Sequence, residues 1–214
     1  MIAVITGDIM ASRSLSNQEQ WIKPLKKLLG KWGKSPAVWK LDRGDFFQIE
    51  VAAPETALLK AFQIKTLIKS VLSPEPGAKR STLDVRMGIG IGEKTYTGAS
   101  ISESNGAAFI HSGEKFDALQ REAVRIGITT PWPQLDEEIN LYLKLLGIII
   151  DRWSVSSAEL VAIVLQYPQI TQEAIGQKLG IRQNSVSGRW NRARIDELLE
   201  VENIFRRKIS HQLS

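Results

Sequence analysis

Asp8 and Asp45 are the residues whose type and placement could do metal or phosphate chemistry. Each follows a glycine, Gly7 and Gly44, at the boundary of an apolar run. Residues 2–6 read as a buried strand stopped by Gly7-Asp8, and residues 46–52 as a strand opened by Gly44-Asp45. If these strands are antiparallel neighbours, the end of one lies beside the start of the other, and the two carboxylates converge at one sheet edge. Two hard carboxylates, with phosphate oxygens and water, make an Mg2+ site. The turn over residues 9–16 leads into a capped helix and can present backbone N–H groups to a phosphate. It holds Ile9, Ser12 and Arg13 as candidate ligand contacts, and Arg43 of the hairpin joins them. An aspartate beside a glycine also serves simply to close a turn.

A second chemistry sits near the C-terminus, in TQEAIGQKLGIRQNSVSGRWN over residues 171–191. Thr171 can cap a helix whose apolar positions are Ile175 and Leu179. Gly176 is small where two helices would cross, and Gly180 suits the left-handed turn between them. On the second helix Val186 and Trp190 are four apart and face inward. The other side carries Arg182, Gln183, Asn184, Ser187, Arg189, Asn191 and Arg192. Gln and Asn can pair with adenine in the major groove, while Arg and Ser can contact phosphates. The pattern predicts a helix-turn-helix that binds DNA, as a homodimer, because one recognition helix rarely supplies enough specificity.

Composition narrows the alternatives. The absence of cysteine excludes disulfides, thiolate metal sites and a thiol nucleophile, and two histidines, His111 and His211, are too few for a His-rich metal site. His111 reads as structural. The net charge of +5 is unevenly spread. Residues 21–40 hold six lysines and no acid, residues 171–195 carry a local +4, and the rest of the chain is −5. The tryptophans at 21, 32 and 39 among those lysines read as anchors of an amphipathic helix. No apolar run approaches the length of a membrane span. MIAVITGDIM has no basic leader and reaches an acid by Asp8, so a cytoplasmic protein is expected.

The elements that must position these residues follow from periodicity and breakers. A capping box at Ser16-Asn17-Gln18-Glu19 opens a helix to residue 29, with Pro24 expected to kink or delay it. Residues 37–41 and 46–52 form a hairpin around Asp42-Arg43-Gly44-Asp45. Residues 56–72 are an amphipathic helix followed by a Pro/Gly turn at 73–77. Residues 83–91 alternate as a strand whose glycines admit a close neighbour. A helix at 104–121 and a strand at 124–129 complete a β-α-β-β-α-β-α-β order. This predicts an α+β protein: a ferredoxin-like or palm domain over residues 1–130, with helices on one face of its sheet. Beyond the Thr130-Pro131-Trp132-Pro133 breaker, residues 131–214 read as an all-α domain with helices at 135–150, 156–166, 171–179 and 183–200.

MIAVITGDIMASR, RGDFFQIEV, VRMGIGIGE, SISESNGAAFIHSGEKFDAL and TQEAIGQKLGIRQNSVSGR together resemble the SatD family, small bacterial proteins with a C-terminal helix-turn-helix, over nearly the whole chain. The N-terminal part also resembles class III nucleotide cyclase domains at Asp8-Ile9, Gly44-Asp45 and Arg86-Met87-Gly88-Ile89-Gly90-Ile91-Gly92. That resemblance implies Asp8 and Asp45 as metal carboxylates, and adds Arg86 and Asn105 to the ligand-binding candidates. Two departures stand out: Phe109 occupies the place of the arginine that stabilises the transition state, and Leu41 that of the base-selecting lysine, with Lys40 one residue off register. The reading is a DNA-binding transcriptional regulator whose cyclase-like domain senses a nucleotide or phosphorylated ligand. The alternative is an Mg-dependent nucleotidyl or phosphoryl-transfer enzyme with a helical oligomerisation tail.

Overall fold

A computed structural model describes the chain except for residues 16, 43 and 73–78. Among the described residues, one sheet is built from β1 (Ile2–Met10), β2 (Trp39–Asp42), β3 (Phe46–Val51), β4 (Asp84–Gly92) and β5 (Ile126–Thr129). Between the strands, the described residues form the α-helices α1 (Glu19–Gly30), α2 (Ala57–Lys69) and α3 (Ala107–Glu122). Five follow them: α4 (Pro133–Ile150), α5 (Val155–Gln166), α6 (Gln172–Leu179), α7 (Gln183–Ala193) and α8 (Ile195–Leu213). The strand order is β2-β3-β1-β4-β5. The central β1 is antiparallel to β3 and β4, and β5 is parallel to β4. The protein is α+β.

Being central changes β1. Its expected stop at Gly7-Asp8 does not occur, because the ladder to β4 continues to Met10. Asp8 is therefore inside the strand, opposite Phe46 on one side and Arg86 on the other. Gly7 is needed there: a Cβ would lie 2.5 Å from the Phe47 ring and 2.8 Å from the Arg86 carbonyl oxygen.

Strand alternation gives the sheet two different faces. Ile5, Ile49, Met87 and Ile89 point into the main core, which they share with Trp21 and Leu25 of α1 and Leu58 and Phe62 of α2. Gly88, Gly90 and Gly92 open the opposite face to α3. A Cβ on Gly88 would be 2.5 Å from the Phe116 nitrogen, and one on Gly90 would overlap the Ser112 nitrogen and the Ala108 carbonyl oxygen. Helices thus cover both faces, correcting the single-faced expectation. The glycine stripe lets the α3 backbone rest directly on the sheet. Thr6 and Ser112 share a buried hydroxyl hydrogen bond of 2.9 Å, and His111 Nδ1 lies 2.8 Å from the Ile91 carbonyl oxygen, a structural role as expected.

The core continues past residue 130: Ile139, Leu143, Val161, Val186 and Phe205 belong to the same buried cluster as Ile5 and Phe62. At the outer edge of the sheet, Asn140 of α4 completes β5. Its amide accepts the Ile128 N–H and donates to the Ile128 carbonyl, both at 2.8 Å, as a neighbouring strand would. Asp136 accepts hydrogen bonds from the Thr130 N–H and hydroxyl. Burial nonetheless holds its carboxyl above the usual carboxylate range. An ion network ties α2 to both halves of the chain. The Lys65 ammonium is fully buried between Asp84 at 2.6 Å and Asp151 at 2.5 Å, and Lys69 donates to the Asp151 carbonyl oxygen at 2.9 Å. Burial lowers the Lys69 pKa, with Asp84 opposing the shift.

Other expectations shift by local geometry. α1 runs through Pro24, and Asn17 Oδ1 accepts the Glu19 N–H at 3.0 Å. Residue 16 of the expected capping box, residue 43 of the hairpin and the turn at 73–77 lie outside the described residues. The helix expected over 183–200 breaks at Arg194, which takes a left-handed φ of 55°. Among the described residues, no helix is long and apolar enough to cross a membrane.

Candidate functional site

Asp8 and Asp45 do share a cavity. It has a volume of about 680 Å³ and is lined by both, together with Lys40, Asp42, Phe46, Arg86 and Phe116. The pairing of β1 with β3 and β4 places Asp8 on the α3 face, between Phe46 and Arg86. Arg86 grips Asp8 with two parallel hydrogen bonds, Nε to Oδ1 at 3.2 Å and Nη2 to Oδ2 at 3.0 Å. Its guanidinium also lies 4.8 Å from the centre of the Phe116 ring, which packs edge-on to Phe46 at 5.8 Å. Such stacking fixes the planar cation in position.

Asp45 is held by the turn after β1. Its Oδ2 accepts the Ser12 hydroxyl at 2.9 Å, and its carbonyl accepts the Ile9 N–H at 3.0 Å. That bond uses the Ile9 N–H, and the Ile9 side chain is in the core, so Ile9 offers neither group to a ligand. Arg13 is exposed on the 3-10 turn Ser12–Ser14 and does not line the cavity. Asn105 precedes α3 at the far end of β4 from Arg86; its Oδ1 accepts the Gly106 N–H at 2.7 Å. Phe109 is buried with Val4, Ile101 and Ala108. Arg43 lies outside the described residues.

Lys40 is the residue that a register argument displaced. It pairs with Gln48, whose amide donates to Thr6 on the α3 face. Being one position from Leu41 is what puts Lys40 on the cavity side, while Leu41 packs on the core. Lys40 pairs with Asp42 at 3.1 Å. Phe46 and Phe116 were not among the expected contacts. The four-residue spacing of Ala108, Ser112 and Phe116 was the available signal, since it marks the sheet-facing side of α3. Among the described residues, no group of three or more His, Asp or Glu side chains is arranged to hold a metal. The two carboxylates would need ligand oxygens to complete a cation's shell.

The second surface is on α6 and α7. Thr171 Oγ1 accepts the Ala174 N–H at 3.2 Å, and Gly180 ends α6 with a φ of 64°. The Ile181 N–H then returns to the Gly176 carbonyl at 3.0 Å. A Cβ on Gly176 would sit 2.8 Å from the Ile181 carbonyl oxygen, so only glycine admits this turn so close to α6. Ile175 and Val186 are buried in the crossing. Trp190, expected inward, is half-buried against the core and donates its ring N–H to Asp196 at 3.0 Å. Arg182, Gln183, Asn184, Asn191 and Arg192 are exposed, and Ser187 and Arg189 are half-buried.

Arg192 also borders a cavity of about 850 Å³ whose lining includes Lys79, Arg80 and Arg152. Among the described residues, none of these four cations is in an ion pair. The lysine-rich segment at 21–40 is different in character. Trp21 is in the core, Lys23 pairs with Glu19, and Trp32 lies under the Lys60 ammonium at 4.4 Å. No family model, curated protein or solved structure matches the chain.

Proposed function

We propose that this protein is a DNA-binding transcriptional regulator of the SatD type, with α6 and α7 as its helix-turn-helix and α7 as the recognition helix. One observation carries the reading. Gly176, Gly180 and buried Val186 set two short helices in a tight crossing, leaving Arg182, Gln183 and Asn184 exposed at the start of the second. A recognition helix meets base edges with that N-terminal end. Lys79 and Arg80, unpaired beside Arg192, supply phosphate contacts. The protein acts as a homodimer on paired half-sites. Residues 131–214 form the DNA-binding part.

The test is binding to the DNA upstream of the protein's own coding sequence, across a salt series. The affinity should fall steeply with salt, and Arg192→Ala should reduce the slope by about one. Arg182→Ala, Gln183→Ala and Arg192→Ala combined should weaken binding by at least about thirtyfold, at roughly 1–3 kcal/mol for each of the two base contacts. Unchanged binding by the triple variant would sink the DNA reading.

Residues 1–130 form the sensing part. The β2-β3-β1-β4 order, with β1 antiparallel to both neighbours, supports a ferredoxin-like, cyclase-related reading. Its ligand is a nucleotide or other phosphorylated molecule bound at Asp8, Asp45, Arg86 and Lys40. Mg2+ would be held by the two aspartates and the ligand's phosphates. Phe109, packed among apolar side chains, supports binding without turnover. Calorimetry with ATP and with GTP, each with and without Mg2+, should show heat for the wild type and none for Asp8→Asn. Equal heats from both proteins would overturn this assignment.

A further inference from the structure

We propose that the exposed face of α4 is the contact through which two copies of this chain pair, with the two α4 helices antiparallel. The inference deepens the reading above and rests on its homodimer, but its test needs no DNA. Leu141, Leu145 and Ile148 are 53%, 54% and 59% exposed. Their spacing of four and three places them in one stripe on the helix. Isolated exposed apolar side chains are ordinary on a protein surface, whereas an aligned set marks a contact.

Charge identifies the occupant. Glu137 lies one turn before the stripe and Arg152 one turn after it, both exposed. Among the described residues, neither has an ion-pair partner. A twofold axis passing between Lys144 and Leu145 sets Leu141 against Ile148 of the second copy. The same operation sets Glu137 against Arg152 of the second copy, at both ends. A parallel pairing would place Glu137 on Glu137 and Arg152 on Arg152. The stripe is thus complementary to itself in one orientation only, the property that an isologous dimer requires. Lys144, beside the axis, borders a groove lined by Glu122, Arg125 and Asp151.

Sedimentation equilibrium on the full chain, without DNA, tests this. The wild type should be a dimer. Leu141→Asp with Ile148→Asp should be monomeric while keeping the wild-type circular dichroism, since both side chains face solvent. Glu137→Arg and Arg152→Glu should each weaken the dimer by about tenfold, through like charges at both ends, and the two together should restore it. A monomeric wild type, a dimer that survives the apolar substitutions, or a double charge reversal no better than its parents would each overturn the proposal. DNA binding lost with the dimer intact overturns the DNA reading alone. DNA binding by a monomeric wild type overturns the α4 pairing alone.

Discussion

Replacing Gly90 with valine is expected to lower stability by roughly 4 kcal/mol, beyond the about 1–3 kcal/mol of ordinary overpacking. The reason is the identity of the atoms in the way. A Cβ at Gly90 meets the Ser112 nitrogen and the Ala108 carbonyl oxygen, which are main-chain atoms of a hydrogen-bonded helix. β4 cannot retreat, because it is paired with β1 on one side and β5 on the other. Helix and sheet must separate, and α3 carries the Phe116 ring that lies against Arg86. Urea denaturation measures the loss. Gly113→Ala is the control: nothing lies within 4 Å of its Cβ, and it sits inside α3. It should stabilise by about 0.5–1 kcal/mol, the ordinary gain of alanine over glycine in a helix. If Gly90→Val unfolds at the wild-type urea concentration, α3 does not rest on the sheet as described.

Lys65→Met should cost about 3–5 kcal/mol, the usual penalty for removing one partner from a buried ion pair. The ammonium is fully buried and touches Asp84, at the start of β4, and Asp151, just after α4. Without it, two carboxylates face each other with only Lys69 nearby, at 3.5 Å from Asp84 and bonded to the Asp151 main chain. Methionine matches the stem of lysine in length, so the loss reports charge rather than volume. Adding Asp84→Asn and Asp151→Asn should recover most of the stability, since replacing a whole buried network is far less costly than breaking it. Equal stability of Lys65→Met and the wild type in thermal or urea unfolding would refute the role of this network. The connection matters beyond stability. Asp84 lies two residues from Arg86 in the strand that lines the Asp8–Asp45 cavity, and Asp151 follows the helix proposed to pair with a second copy.

The Lys40 case shows where sequence comparison and geometry part. Aligned by a motif, Lys40 is displaced by one residue and looks lost. In the sheet, a one-residue step reverses the face, and Lys40 is the neighbour that lines the cavity. Asn105 shows the opposite. It fits a helix motif, yet the path of the chain leaves it at the far end of β4 from Arg86, bonded within its own loop. Spacing along a helix says which residues share a side, and nothing about which end of the sheet that side reaches.

The amino-acid sequence by itself determined the kind and order of the elements up to α7, because apolar periodicity and breakers act within a few residues of each other; the break at Arg194 that separates α8 was not among them. It also determined the α6–α7 crossing, whose glycines, cap and buried valine are all within a single short segment. The approach of Asp8 to Asp45 was legible for the same reason, since it needs only that β1 and β3 be neighbours. What only the tertiary structure decided was everything that depends on which atoms meet across the fold. β1 gained its length from two flanking strands. Arg86 took both oxygens of Asp8, and Phe116 of α3, far beyond Asp45 in sequence, lines the same cavity. Lys65 joined two carboxylates that stand 67 positions apart in sequence. Such contacts are selected by packing and burial, and no local pattern encodes the partner.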